Sequence, residues 1–272
     1  MDEAGGSRVT ILDFARRREA GEPIVMITAY DALFASLVDS AGVDSILVGD
    51  SLATVLAGEE TTLGATLEQM IYHGRMVQRG TERALVVVDM PFLSYQVSPA
   101  QAVRNGGRIL KESGVGAVKV EGGAPMAPAV EALVTAGIPV MGHVGFTPQS
   151  VHQLGGVRVQ GRSEGAFQKL IRDVKALENA GAFAIVLAMV PAVIAKRLTE
   201  AASVPTIGIG AGPRCDGQIL VLHDMLGLSE GESPHYLKRY AEMGAEVRSA
   251  VASYAEEVRK GGFPGPEHVH RM

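Results

Sequence analysis

The chain has 272 residues, of which 47% are hydrophobic and 20% are charged, and its formal net charge is −5. This acidic balance argues against a nucleic-acid partner, because such binding depends on lysine and arginine neutralising phosphates. The single cysteine, Cys215, excludes an internal disulfide framework and fits a reducing compartment. The first residues do not read as a secretory signal, and no stretch reaches about 20 apolar residues. We therefore expect a cytoplasmic globular protein without a membrane partner.

Seven short runs rich in valine and isoleucine predict β-strands. They lie at 24–28, 45–50, 84–89, 116–121, 138–143, 184–188 and 204–210. Because the runs lack strict alternation of polar and apolar residues, they are typical of strands buried on both faces of a parallel sheet.

Amphipathic segments between these runs predict helices that start at a polar residue and end at glycine. Four of them read DALFASLVDSAG, TLEQMIYHGRMVQRG, SPAQAVRNGGRILKESG and SEGAFQKLIRDVKALENAG. Asp31 is a candidate N-cap, and Pro99 suits a first helical position. The earlier segment ILDFARRREAG predicts an extra N-terminal helix.

Strands alternating with helices over this length predict a (β/α)8 barrel, with a doubly wound parallel sheet as the alternative. We expect a single domain over 1–272, with the N-terminal helix closing the bottom of the barrel. Residues 218–224 follow the seventh run too closely for a helical crossover. We therefore interpret DGQILVLHDML as a helix capped by Asp216 and place the eighth strand at 235–241. The segment EVRSAVASYAEEVRK then predicts the last helix.

Carboxylates end three successive predicted strands, where a barrel places its active site. Asp50 ends the second run, Asp89 the third and Glu121 the fourth. Three carboxylates in one pocket repel one another unless a cation lies among them, and a set of hard oxygen ligands favours Mg²⁺. Each residue on its own could instead be a loop N-cap or a surface carboxylate.

Other polar groups share these strand ends. Lys119 lies two residues before Glu121 and therefore points to the same side of the strand; it could form a structural ion pair or stabilise an anionic intermediate. His143, after the fifth run, could donate to a substrate oxygen or be a half-buried structural histidine. The GIGAG segment at 208–212 could bind phosphate or form a tight turn. Mg²⁺ with a lysine suits a 2-oxo acid, whose enolate forms when a general base removes the α-proton.

Longer motifs resemble the ketopantoate hydroxymethyltransferase family. They are TAYD, ILVGDS, DMPFLSYQ, VKVEGG, GHVGFTPQSVHQLGG, VQGR and IGIGAGPRCDGQILVLHD, and they run in order from about Asp13 to the FPGPEH tail. The resemblance implies a (β/α)8 barrel of the phosphoenolpyruvate/pyruvate-binding type. It also implies transfer of a hydroxymethyl group from 5,10-methylenetetrahydrofolate to 3-methyl-2-oxobutanoate, giving 2-dehydropantoate for pantothenate biosynthesis, by a homo-oligomer that is a decamer.

The resemblance also implies roles for the residues at the strand ends. The Mg²⁺ ligands are Asp50, Asp89 and Glu121. The contacts to the 2-oxo acid are Asp50, Ser51, Asp89 and Lys119. Lys119 is also a catalytic residue of this pocket, together with His143.

One position departs from the family pattern. The family's proton acceptor is a glutamate that ends the sixth strand in a pattern like LExVP, whereas this chain reads IVLAMVP and has Ala188 there. A methyl group cannot accept a proton, and loss of a general base costs about 10²–10⁴-fold in rate. Ala53, Gly64 and Ala65 are lesser departures. We therefore expect impaired or altered transfer, with two alternatives: an aldolase or lyase acting on a bulkier 2-oxo acid, or a non-catalytic protein that binds oxo acids.

Overall fold

Eight parallel strands form a closed barrel in the order β1 to β8 in the computed structural model, which describes residues 7–229 and 234–270. The strands are β1 Ile24–Thr28, β2 Ser45–Val48, β3 Leu85–Asp89, β4 Ala117–Glu121, β5 Val140–Gly145, β6 Ala184–Ala188, β7 Thr206–Ile209 and β8 Gly217–Leu220. The first seven coincide with the predicted runs, so the predicted (β/α)8 architecture is confirmed.

Helices fill the connections as the sequence predicts. They are α1 Ile11–Ala20, α2 Ala32–Ser40, α3 Leu52–Val55, α4 Leu67–Gly80, α5 Pro99–Ser113, α6 Ala127–Thr135, α7 Val151–Leu154, α8 Glu164–Asn179, α9 Ala192–Ala201, α10 Leu222–Met225 and α11 Met243–Lys260. Asp31 caps α2 by accepting a hydrogen bond from the Phe34 amide at 2.9 Å. None of the helices in the described residues is long and apolar enough to cross a membrane.

The amino-terminal end of the barrel is closed by α1. The helix starts where the Asp13 carboxylate accepts hydrogen bonds from the Thr10 amide and hydroxyl, at 2.8 and 2.7 Å. Its Phe14 is fully buried in the barrel's core cluster and meets the Phe183 ring edge-on, with centroids 5.4 Å apart. Because Phe183 immediately precedes β6, this contact confirms the predicted plug at the bottom of the barrel.

The eighth strand is β8 at Gly217–Leu220, so the strand predicted at 235–241 is wrong. The helix predicted over DGQILVLHDML is wrong in its first half, which forms β8, whereas its second half contains α10 Leu222–Met225. Residues 235–241 contain no strand and are mostly exposed. A helical crossover is unnecessary, because β8 pairs Gly217 with Ile207 and starts only two residues below the end of β7 at Ile209, a return of roughly 7 Å. Asp216 does not cap a helix; its carboxylate accepts a hydrogen bond from the Thr206 amide at 2.7 Å.

The chain divides into two compact units, Met1–Val221 and Leu222–Met272. The first unit contains the whole barrel. The second contains α10 and α11, and α11 confirms the predicted last helix. The single domain expected over 1–272 stays a prediction.

Candidate active site

The strand register brings together polar side chains from β3, β4 and β5. Asp89 is paired with Lys119 across β3 and β4, and Glu121 is paired with His143 across β4 and β5. Lys119 and Glu121 lie two and four residues after Ala117 on β4, so all three side chains lie on the same side of the strand. Ala117 belongs to the barrel's core cluster, so Lys119 and Glu121 also point into the barrel. All four polar residues are buried. The predicted convergence at the carboxyl ends of these strands is therefore present.

The Lys119 ammonium group lies at the centre of this cluster. Its Nζ is 2.9 Å from Asp89 Oδ1 and 3.6 Å from Glu121 Oε1. His143 Nε2 lies 3.0 Å from the Phe146 carbonyl. His143 Nδ1 lies 3.1 Å from Lys119 Nζ and 3.3 Å from Glu121 Oε1. Lys119 forms an ion pair, and His143 is held by protein groups on both ring nitrogens.

Asp50 lies in the turn after β2, beside this cluster. Its amide donates to Asp89 Oδ2 at 3.0 Å, and its Oδ2 accepts from Gln149 Nε2 at 2.9 Å. No lysine, arginine or histidine of the described ranges forms an ion pair with Asp50. It is therefore a buried carboxylate held by neutral donors alone.

The environment shifts the protonation of these groups in different directions. Burial, followed by the charges of Glu121 and Asp89, raises the pKa of Asp50 well above its usual value. Burial also raises the pKa of Asp89 despite the nearby Lys119. Burial alone would raise the pKa of Glu121, but the proximity of His143 and Lys119 lowers it. The carboxylates likewise raise the pKa of Lys119, although its burial opposes the charge. Three carboxylates thus lie around one ammonium group, which forms ion pairs with two of them.

This charge imbalance fits a divalent cation at Asp50 and Asp89. Both offer hard oxygen ligands, and a dication would favour their ionised forms. Glu121 instead accepts from the Gln149 amide at 3.0 Å through Oε2 and faces His143 through Oε1. Within 7–229 and 234–270, no three histidine, cysteine, aspartate or glutamate side chains converge tightly enough to enclose an ion. The three predicted ligands are therefore neighbours without forming a closed ligand shell.

Ser51, the predicted oxo-acid contact, directly follows Asp50 at the start of α3. Its Oγ is 2.8 Å from the Tyr30 hydroxyl. A Cβ atom added to Gly49 would lie 2.7 Å from Ser51 Oγ and 3.6 Å from Asp89 Oδ2. Glycine at 49 therefore leaves space between the two polar groups, a role that its position before Asp50 in the sequence could have indicated.

Ala188 is the last residue of β6, as predicted, and it is 4% exposed. It belongs to the core cluster that fills the barrel, and it pairs with Gly145 of β5 and Ile209 of β7. Its carbonyl accepts from the Phe146 amide at 2.8 Å. β6 thus ends next to the polar cluster without contributing a polar side chain to it.

Two functional candidates escaped the sequence analysis. Gln149 and Tyr95 are both buried, and the Tyr95 hydroxyl donates to Gln149 Oε1 at 2.7 Å. Both follow strand ends within loops, where no periodicity indicates orientation. They line a cavity of about 660 Å³, together with Glu121, between the loops after β4 and β5 and helix α8.

The GIGAG segment forms the short connection into β8. Gly210 and Gly212 have φ of +60° and +76°, a left-handed conformation that favours glycine. This geometry corresponds to the tight turn, one of the two interpretations of the segment.

The comparisons with known proteins identify the family of the chain. A family model for ketopantoate hydroxymethyltransferase matches residues 8–266. Curated relatives called 3-methyl-2-oxobutanoate hydroxymethyltransferase include one from Pyrobaculum islandicum, 56% identical over 96% of this chain and 98% of its own length. Another, from Syntrophotalea carbinolica, is 52% identical over 96% of this chain and 98% of its own length.

Solved structures share the barrel at low sequence identity. A phosphonopyruvate hydrolase in complex with oxalate and Mg²⁺ is 13% identical, with a TM-score of 0.62 over 97% of this chain and 92% of its own. A 2,3-dimethylmalate lyase of the PEP mutase/isocitrate lyase superfamily is 18% identical, with a TM-score of 0.58 over 96% of this chain and 91% of its own. These likenesses concern the fold. The family model and the curated relatives together show that the chain belongs to the ketopantoate hydroxymethyltransferase family.

Proposed function

We propose that this transferase moves a hydroxymethyl group from 5,10-methylenetetrahydrofolate to 3-methyl-2-oxobutanoate, giving 2-dehydropantoate. One observation carries the proposal: three buried carboxylates lie around a single ammonium group at the carboxyl end of the barrel, and that group forms ion pairs with Asp89 and Glu121 but not with Asp50. A 2-oxo acid and a divalent cation together complement this arrangement in charge. The names of the full-length relatives supply the substrate.

Asp50 and Asp89 would hold Mg²⁺, with Glu121 supporting the site through its own hydrogen bonds. When bound, the cation supplies Lewis-acid chemistry, polarising the keto oxygen and acidifying the neighbouring C–H bond. Lys119 and Ser51 contact the 2-oxo acid. The burial of Asp50, Asp89 and Lys119 keeps bulk water from the reacting atoms, which strengthens their electrostatic effect.

The reaction removes the proton on C3 of the oxo acid, and C3 then forms a bond to the methylene carbon of the donor. Water supplies the hydroxyl group, and tetrahydrofolate leaves. β6 offers the methyl group of Ala188 where the sequence pattern expects a proton acceptor. Proton removal therefore limits the rate in this chain.

The donor needs space next to the oxo acid. The cavity of about 660 Å³ is lined by Glu121 and Gln149, which also belong to the polar cluster. This shared lining supports the cavity as the side from which the folate reaches the oxo acid. The cytoplasmic location and the decameric homo-oligomer stay predictions, and light scattering tests the latter.

Product analysis tests the proposal. The chain is incubated with 3-methyl-2-oxobutanoate, 5,10-methylenetetrahydrofolate and Mg²⁺, and 2-dehydropantoate is measured by mass spectrometry. We expect slow, Mg²⁺-dependent product formation that stops when a chelator is added. Absence of product combined with turnover of a bulkier 2-oxo acid would favour the aldolase or lyase alternative instead. Binding of both substrates without any turnover would indicate a non-catalytic homologue.

A further inference from the structure

Gln149 connects two carboxylates from different strand ends, one through its side chain and one through its backbone amide. Its Nε2 donates to Asp50 Oδ2 and to the Met90 carbonyl, both at 2.9 Å. Its backbone amide donates to Glu121 Oε2 at 3.0 Å. Asp50 follows β2, Met90 follows β3 and Glu121 ends β4, so a single loop residue after β5 spans three strand ends.

Four hydrogen bonds to the side-chain amide of Gln149 determine its orientation. Oε1 accepts from the Tyr95 hydroxyl at 2.7 Å and from Gln96 Nε2 at 3.1 Å. A flipped amide would place Oε1 against two acceptors and the NH₂ group against two donors. Every hydrogen-bonding direction is used and the residue is only 5% exposed, so the side chain is held in a single arrangement.

Glutamine is chemically suited to this position because it donates hydrogen bonds without carrying charge. A lysine or arginine beside Asp50 would neutralise the carboxylate and compete with a bound cation. Gln149 instead fixes Oδ2 without placing a positive charge beside Asp50. Lys119 acts in the opposite way on Asp89, which it pairs at 2.9 Å.

We propose that Gln149 is a positioning residue that holds Asp50 and Glu121 in the arrangement that binds the divalent cation and the 2-oxo acid. This inference rests on the proposed function, because the affected ligands are those of the proposed reaction. It assigns Gln149 no contact with the reacting atoms.

Substitution by methionine tests the inference. Gln149→Met keeps the length of the side chain and removes both its donor and its acceptor. Calorimetric titration with Mg²⁺ alone should show affinity that is about 10–100-fold weaker than in the parent chain, the usual effect of losing a group that orients metal ligands. The control Gln168→Met replaces an exposed glutamine on α8 and should bind Mg²⁺ like the parent.

A cycle with Asp50→Asn separates positioning from a general packing role. If Gln149 acts through Asp50, Gln149→Met should weaken Mg²⁺ binding much less in the Asp50→Asn background than in the parent. A merely structural residue would lower the melting temperature equally in both backgrounds without changing the affinity of the folded protein. Should Gln149→Met fail to fold, Gln149→Asn keeps the amide but is one methylene too short to reach Asp50, and it should show the same weakening.

The outcomes distinguish this inference from the proposed function. If the parent chain binds neither Mg²⁺ nor 3-methyl-2-oxobutanoate, the proposed function fails. If the parent binds both and the folded Gln149 variants bind Mg²⁺ with parental affinity, only the positioning role is overturned.

Discussion

Buried aspartates at the two ends of the barrel have pKa values shifted in opposite directions. Near the amino-terminal end, Asp39 accepts hydrogen bonds from the amides of Glu82, Arg83 and Ala84 at 2.7–3.0 Å. Burial opposes ionisation there, but these bonds hold the pKa of Asp39 below its usual value. At the carboxyl end, burial and neighbouring carboxylates raise the pKa of Asp50. A carboxylate whose oxygens accept hydrogen bonds from backbone amides stabilises the fold. A carboxylate surrounded by other carboxylates is instead available to bind a cationic ligand.

The largest effect is expected for Asp89→Ala, which removes a proposed cation ligand and the partner of Lys119. Mg²⁺-dependent binding of 3-methyl-2-oxobutanoate should be abolished, because the cation loses one of its two carboxylates. Calorimetry with and without Mg²⁺ measures this, with Asp39→Asn as the control that retains binding. Unchanged oxo-acid affinity in Asp89→Ala would rule out the metal site.

Lys119→Met should destabilise the fold by about 3–5 kcal/mol, the usual effect of breaking a buried ion pair by removing one partner. Asp89 and Glu121 would then face each other without the ammonium group that lies 2.9 and 3.6 Å from them. Urea unfolding measures the loss. Because Mg²⁺ supplies positive charge, its addition should recover part of the stability, and a variant as stable as the parent would contradict the assigned ion pairs.

Asp39→Asn should lower the free energy of unfolding by about 1–3 kcal/mol at pH 7, because it weakens three hydrogen bonds to a charged acceptor. The folded pKa of Asp39 lies below its usual 3.8. Its contribution is therefore present above that pH and disappears as the pH falls through the folded value. Urea unfolding at pH 7 and near pH 3 should show the difference between parent and variant becoming smaller at the lower pH, while Mg²⁺ affinity at pH 7 stays parental.

Asp50→Asn should raise the free energy of unfolding in cation-free buffer, opposite to Asp39→Asn, and its effect should be the smallest of the four. The folded pKa of Asp50 is raised above 3.8, so its contribution to stability is lost as the pH rises through the folded value. Without divalent cations at neutral pH, the asparagine variant should unfold at a higher urea concentration than the parent. With Mg²⁺ the order should reverse, because only the parent binds the ion tightly. A destabilised variant in cation-free buffer would contradict the repulsion at this end.

Much of this arrangement could be predicted from the sequence. Buried strands are recognisable because both of their faces are apolar. Asp89 and Glu121 are found because they end such strands, and Lys119 because it lies within the fourth, two residues before Glu121. The two-residue spacing of Lys119 and Glu121 also predicted that both side chains enter the same pocket. Between β3 and β4, the strand register places Asp89 beside Lys119.

Other features lay outside those rules. β8 was missed because parallel strands usually need a long crossover, whereas here the register starts β8 beside Ile207 and shortens the return. Gln149 was missed because its role depends on a loop conformation that brings it to Asp50, 99 positions away in the chain. Local patterns carry no information about such a contact.

The most direct measurement follows the C3 proton of 3-methyl-2-oxobutanoate by NMR in D₂O with Mg²⁺, in the parent chain and in Ala188→Glu. The methyl group of Ala188 faces the barrel interior at the end of β6, so a glutamate there would provide a proton acceptor beside an otherwise complete site. We predict very slow exchange in the parent and exchange about 10²–10⁴-fold faster in Ala188→Glu. Equally fast exchange in both proteins would contradict this, because another group of the chain would then be removing the proton.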